Sequence, residues 1–223
     1  MSEPAPPTDD QLPTDDQLPT DHQLLDLLAA LSLEDKVRLL TGASFWTTHT
    51  APGIGLREMV LSDGPAGVRG LGFDERDTSV SLPSGSCLGA AWDVDLAHRF
   101  GLALASQARD KGVHVVLGPT LNLHRTPYGG RHFEALSEDP LLTGELGAAI
   151  VRGVQAGGVA ACPKHYVAND SETDRMTVDV LLDEQPLHEV YLAPFETTVR
   201  SEAWLVMSAY NGVNGATMTE SPL

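Results

Sequence analysis

The sequence predicts an α/β fold built on parallel strands, and three observations predict it. Short apolar or β-branched runs alternate with helical stretches in about five strand–loop–helix units, and strands joined through helices lie parallel with right-handed crossovers. Charged and polar clusters follow those apolar runs, where a rigid sheet aims its loops at a ligand. With 223 residues, 42% of them hydrophobic, the chain is long enough for one sizeable domain with a packed core.

The N-terminal stretch stands apart. PTDDQL occurs at 7–12 and again at 13–18, and PTDHQL at 19–24. A hexapeptide is too short for a stacking repeat, and Pro with paired Asp opposes a packed core. Residues 1–23 are therefore expected to form a disordered acidic tail, with the folded domain running from 24 to 223. Residues 24–41 read as two short helical pieces. The second opens with Ser32 and Asp35 as a capping box and is closed by Gly42.

A strand candidate at 58–61 runs into Ser62-Asp63-Gly64-Pro65, which presents the Asp63 carboxylate at the strand's C-terminal end. Residues 86–92 read as a second strand. Residues 96–111 form an amphipathic helix, with Asp93 or Asp95 near its N-cap, Leu96, Phe100, Ala103 and Leu104 on its apolar face, and Gly112 as its stop. The β-branched run 113–117 is a strand, followed by a long loop at 118–139. A helix at 143–155 ends at Gly157 and Gly158, and 159–162 is a buried strand. It leads into 164–175, KHYVANDSETDR, a loop dense in ionisable side chains. Beyond it, 177–182 is extended, a candidate hairpin arm. Asp183 caps a helix through about Ser201, with Pro186 in its first turn and a kink at Pro194. The last strand, 203–208, is followed by the loop Ala209-Tyr210-Asn211-Gly212. Setting the tail aside leaves roughly 200 residues, against about 250 for a closed (β/α)8 barrel. Either a smaller open sheet or an incomplete barrel fits.

Composition excludes some functions. A net charge of −17 argues against nucleic acid and against an anionic membrane as partners, since both demand basic patches. Cys87 and Cys162 lack metal-type spacing and read as two buried thiols in a reducing compartment. The N-terminus has neither the basic nor the apolar region of a signal peptide, and no run approaches the about 20 apolar residues of a membrane span. A cytoplasmic location is expected. Trp46 and Trp92 read as core residues.

No GxGxxG or Walker pattern opens a helix, and Ser84-Gly85-Ser86 is not a nucleophile elbow. His124, His132 and His165 lack tight metal spacing, so neither a metal nor another cofactor is expected. What the strand ends present is Asp63 and Arg69, then Arg131 and Glu134, then Lys164, His165 and Arg175, then Tyr210. These groups make charge-assisted hydrogen bonds. The vicinal hydroxyls of a sugar each donate and accept, so carboxylates and cations placed together satisfy both roles, and a missing hydroxyl leaves a buried group unpaired.

Five segments sharpen that reading: LSLEDKVRLLTG, LSDGPAGVRG, LGPTLNLHRTPYGGRHFEALSEDPLLTG, KHYVANDSETDR and VMSAYNGVNG. In their order and spacing the chain, over about residues 31–223, resembles the N-terminal domain of glycoside hydrolase family 3 in its β-glucosidase branch. The resemblance implies a (β/α)8 TIM-barrel-like domain that is incomplete, with about five βα units present. It implies that Asp63 grips the distal hydroxyls of a sugar and that Arg69, Arg131, Lys164 and His165 line the −1 subsite. Arg175 would lie beside the nucleophilic carboxylate, and Met207 and Tyr210 would flank that nucleophile and the sugar ring.

The activity implied is retaining hydrolysis of terminal non-reducing β-D-glycosyl residues, with a β-glucoside or oligosaccharide as the partner. In the family the nucleophilic Asp follows the MSAYNGVNG segment by a few tens of residues, and the acid/base Glu comes from a second domain. Both are therefore expected beyond residue 223, with no catalytic residue inside it and the remaining C-terminal part needed for turnover. Glu172 and Asp174 match loop positions around Arg175 rather than the nucleophile. KHYVAND also departs from the KHFPGH-like loop of a branch acting on N-acetylglucosaminides, which removes that branch's histidine. The alternative is a catalytically inactive truncated fragment, at most a weak sugar binder.

Overall fold

The computed structural model describes residues 19–72 and 74–222. They form two compact units that divide between Glu58 and Met59. The first two copies of the hexapeptide lie outside the described residues. In the first unit, helix α1 (Asp21–Ala30) begins inside the third copy, so residues 21–23, expected as the end of a tail, are helical. The reason is local. Thr20 accepts a hydrogen bond from the Gln23 backbone N–H, and the Gln23 side chain accepts one from the Thr20 N–H, a reciprocal capping box.

Helix α2 (Leu33–Arg38) is opened by Ser32, whose hydroxyl accepts from the Asp35 N–H and donates to the Asp35 carboxylate. Gly42 does not close this helix; it bridges antiparallel to Thr48 instead. A 3₁₀ turn, Pro52–Ile54, ends the unit's regular structure. Leu25, Leu28, Leu33 and Leu40 are all exposed.

The second unit carries the predicted alternation. Strands β1 (Leu61–Ser62), β2 (Val115–Val116) and β3 (Ala160–Ala161) form a parallel sheet in chain order, with Leu61 opposite Val115 and Val115 opposite Ala160. Pro163 has no N–H to give and separates β3 from β4 (Lys164–Tyr166), which pairs with a later strand at Met207–Ser208. The intervening helices are α3 (Gly85–Ala90), α4 (Val94–Asp110) and α5 (Pro140–Ala156). Then come β5 (Asp179–Val180), a broken helical segment, β6 (Met207–Ser208), β7 (Gly212–Val213) and β8 (Ala216–Thr217). The arrangement is an incomplete (β/α)8 TIM-barrel-like domain.

Packing explains the order of the layers. Asp93 caps α4 by accepting from the Leu96 N–H, and Asp139 caps α5 with Pro140 at its first turn. The two helices cross at Gly101 and Gly153: a Cβ at Gly101 would stand 2.4 Å from the Ile150 carbonyl oxygen, and one at Gly153 would stand 2.1 Å from that of His98. Phe100, Leu104, Leu146, Ile150 and Val154 then close over Val116 and Ala161 of the sheet. A second cluster gathers Leu121, Val167, Leu187, Phe195, Ala209 and Val213.

Five expectations fail here, each for a physical reason. Residues 86–92 are mostly helical, because Ser84 caps the Cys87 N–H and starts α3. That leaves Cys87 exposed, while Cys162 is buried, and it places Trp92 just beyond the helix, 74% exposed rather than in the core. The 177–182 stretch is no hairpin arm: β5 pairs parallel with β7, and β7 forms the antiparallel pair with β8. The helix expected from Asp183 to Ser201 breaks into α6 (Glu184–Pro186), a π-helical turn at Leu187–Tyr191 and α7 (Ala193–Arg200), with Pro194 in the first turn of α7 rather than inside a continuous helix.

Candidate functional site

Asp63 follows β1 directly. Its loop doubles back at Gly64, whose φ of +111° and 2.0 Å clearance from the Gly67 carbonyl to a would-be Cβ admit no side chain. The Gly67 N–H bonds the Gly64 carbonyl and the Arg69 N–H bonds that of Asp63, which returns Arg69 to Asp63, their side chains 3.8 Å apart. Buried Ser62 pins the loop from below, accepting from the Gly70 N–H at 2.8 Å.

From β4, Lys164 reaches the same point. It is only 2% exposed, and its Nζ lies 2.9 Å from Asp63 Oδ1 and 3.6 Å from Glu134 Oε2. The long loop at 118–139 supplies the next links. Arg131 grips Glu134 through Nε and NH2 at 3.0 and 3.1 Å, a bidentate pair, and Thr120 donates to the same carboxylate at 3.1 Å. Arg131 NH1 stands 3.6 Å from Glu172 Oε1, and Glu172 Oε2 accepts from Arg175 at 2.6 Å. The Arg175 guanidinium lies 5.5 Å from the centre of the Tyr210 ring, in cation–π range.

The outcome is one line of alternating charge: Asp63, Lys164, Glu134, Arg131, Glu172, Arg175. Adding Arg69, four cations face three carboxylates, so the cluster carries one positive charge in excess within a strongly acidic chain. Burial pushes the Asp63 carboxyl up, but the Lys164 charge and hydrogen bond outweigh it and leave Asp63 below the ordinary carboxylate range. Burial, followed by the charges of Lys164 and Arg131, lowers His165 to about 3, so its imidazole is neutral. Arg131 keeps its proton more firmly than usual: burial disfavours the charge, and Glu134 more than compensates.

All eight residues expected at the site can now be placed. Asp63, Arg69, Arg131, Lys164, His165 and Arg175 fall into the connected cluster, and Tyr210 joins through Arg175. Met207 sits opposite Lys164 in the β4–β6 register, half-buried. The 164–175 stretch, expected as a loop, starts as the strand β4, which is what buries Lys164 and His165. Asp174 takes φ +51° and turns the chain, outside the cluster.

Sequence reasoning missed Thr120 and Asn122, and it gave Glu172 no role. Glu172 joins Arg131 to Arg175. Asn122 is buried against His165. The available signal was a single polar residue inside the apolar run Leu121–Leu123. Beside Asp63 lies a cavity of about 240 Å³ with a mainly apolar lining that includes Leu88, Phe100, Leu104 and Ile150. Among the described residues no three His, Cys, Asp or Glu side chains gather to hold a metal.

The chain as a whole is similar to known proteins. A family model described as the glycosyl hydrolase family 3 N terminal domain matches residues 28–223. The chain is 47% identical over 190 residues to beta-glucosidase B of Emericella nidulans, covering 85% of this chain and 22% of that protein. It is 45% identical over 199 residues to a beta-glucosidase of Rhizobium radiobacter, covering 88% and 24%. Among solved structures, beta-glucosidase from Kluyveromyces marxianus in complex with glucose superposes with a TM-score of 0.86 at 38% identity, over 88% of this chain and 24% of that one. Beta-glucosidase 3B from Thermotoga neapolitana in complex with glucose gives 0.82 at 40% identity, over 88% and 30%. The chain thus spans about a quarter of the length of the curated relatives it matches.

Proposed function

The chain belongs to glycosyl hydrolase family 3, matching its N-terminal domain, and we propose that it builds the sugar-binding wall of a β-glucosidase-type enzyme. Its substrate class is a β-glucoside or oligosaccharide, cleaved at the terminal non-reducing β-D-glycosyl residue. One observation carries the reading: Asp63 and Lys164, from two different strand ends, pair at 2.9 Å beside Glu134 and Arg131. Vicinal hydroxyls fit such an array because each hydroxyl both donates and accepts. Asp63 would accept from a hydroxyl whose oxygen accepts from Lys164. The relatives named as β-glucosidases, and the two solved structures holding glucose, support the same substrate class.

The mechanism proposed is retaining. A carboxylate attacks the anomeric carbon to form a glycosyl-enzyme, a second carboxyl protonates the leaving oxygen, and that group then activates water. We assign neither role within residues 1–223. Asp63, Glu134 and Glu172 each contact two cations, which occupies the oxygen lone pairs that an attack would need and suits them to holding hydroxyls instead. Arg175, 34% exposed on its side chain, remains reachable and would keep an adjacent nucleophile ionised. A cytoplasmic location belongs to the same proposal, supported by the free thiols of Cys87 and Cys162.

Binding tests this reading. Isothermal titration of the chain with D-glucose should give saturable binding, and Asp63→Asn should weaken it about ten- to a hundredfold, the loss of one or two hydrogen bonds to a charged acceptor. Unchanged affinity in Asp63→Asn would remove Asp63 from the sugar site.

A further inference from the structure

Asn122 makes three hydrogen bonds to His165. Its Nδ2 donates to the His165 carbonyl at 3.1 Å, and its Oδ1 accepts from the His165 backbone N–H at 3.0 Å and lies 2.8 Å from the ring Nδ1. Both residues are buried. The side-chain amide cannot be turned round. A backbone N–H only donates and a backbone carbonyl only accepts, so the Asn122 atom facing the first is oxygen and the atom facing the second is nitrogen.

That orientation has a consequence for the ring. An amide oxygen only accepts, so Nδ1 must bring the proton. The neutral imidazole has one proton, and Nε2 is left with a lone pair. Nε2 is the nitrogen that faces the cluster, 3.4 Å from Arg131 NH1. The groups around it are rich in donors: Lys164 and Arg131 carry N–H groups and no acceptor. Asp170 fixes the backbone next to Asn122, accepting from the Leu123 N–H at 2.8 Å, so the clamp is itself held in place.

We propose that Asn122 is a positioning residue that locks His165 as the Nδ1–H tautomer, so that Nε2 is a fixed hydrogen-bond acceptor in the ligand site. The site then selects ligands presenting a hydroxyl proton at this point, which receives from a neighbouring cation and donates to Nε2. An ether or a fluorine there accepts only and gives Nε2 no proton, leaving it just the long 3.4 Å contact from Arg131 NH1. The ring stays neutral across the physiological range, since burial and the neighbouring cations oppose a second proton. This selectivity rests on the sugar-binding reading above; the tautomer does not.

The test separates the two. The chain is labelled with 15N-histidine, and its 15N spectrum at pH 7 is recorded in solution or by magic-angle spinning, with His165 assigned by comparison with His165→Gln. The expected result is one ring nitrogen of His165 protonated, Nδ1, and a bare Nε2. Protonation at Nε2 in the native chain overturns the proposal outright. Asn122→Asp keeps an acceptor at the same distance and should keep the tautomer. Asn122→Leu, of similar size without an acceptor, should shift it toward Nε2–H or a mixture; a tautomer unmoved by Asn122→Leu would overturn the role of Asn122. Titration with D-glucose then tests the ligand. A perturbed Nε2 resonance is expected, and an Nδ1–H tautomer that ignores glucose would overturn the sugar reading while leaving the clamp intact.

Discussion

His165 and Asp170 lie on the same short stretch and titrate in opposite senses. His165 is lowered to about 3 by burial and then by the charges of Lys164 and Arg131. An unfolded histidine, near 6.5, takes its proton first, so stability is lost as pH falls from about 6.5 toward 3. Asp170 is raised to about 6 by burial, which outweighs its hydrogen bond from Leu123 and the charge of Arg125. The unfolded chain releases that proton first, near 3.9, so this contribution is present below about pH 4 and lost as pH rises through 6. Each group alone approaches a slope of about 1.4 kcal/mol per pH unit, and between about pH 4 and 6 the two slopes cancel. Urea unfolding of the native chain should therefore vary little with pH from this pair across that window. His165→Gln should become more stable as pH falls from 6 to 4, and Asp170→Asn less stable. Parallel profiles for the three proteins would rule out the opposition.

At the scale of elements, glycines decide how closely the parts approach. Gly101 and Gly153 let α4 and α5 cross, so Gly101→Ala and Gly153→Ala should each cost about 1–3 kcal/mol by overpacking. The double variant should cost less than the sum, because the first substitution already separates the helices. Urea midpoints would show this, and strict additivity would mean the two glycines do not share one contact. Gly85 acts differently. A Cβ there would stand 2.1 Å from the Glu134 carbonyl oxygen, so Gly85→Ala should displace Glu134 and weaken glucose binding more than Gly153→Ala does.

This is also the scale at which the sequence was most and least legible. α4 and α5 carry caps, a clear apolar face and closing glycines, so their positions could be read directly. α3 could not: Gly85 and Gly89 lie on the face packed against the 134–136 backbone, where side chains would have shown a helical period. Asp63 and Lys164 were legible because each comes just after an apolar run, while Arg131, Glu134 and Arg175 lie in the polar loops beyond such runs. Asn122 was not, since its partner is a backbone and ring 43 residues away, which no local pattern encodes.

For the whole molecule, the excess positive charge of the cluster is the feature that bears on activity. Three carboxylates are shared among four cations, so on the proposed sugar-binding reading none is free to attack an anomeric carbon. The 223-residue chain alone should release no measurable nitrophenol from an aryl β-glucoside while still binding glucose. Turnover that disappears in Asp63→Asn would show that the chain holds its own catalytic groups. Joined to the remaining length of a family relative, the same chain should acquire the activity, and Arg175→Met should then reduce kcat more than it raises KM, the pattern of a group acting on the nucleophile.

The Asp63–Lys164 ion pair joins positions 101 residues apart. At a synthesis rate of about 5–20 residues per second, Lys164 leaves the ribosome about 5–20 s after Asp63. Until then, of the cations that will surround Asp63, only Arg69 has been made for most of that time. β1 meets the same delay in smaller measure, since Leu61 must wait for Val115, and Val115 for Ala160. The nascent chain thus carries unpaired parallel edges for seconds, an interval in which chaperone capture competes with folding. A ribosome stalled before Lys164 should hold a chain with α4 formed and the site unmade. The charge cluster around Asp63 is completed late.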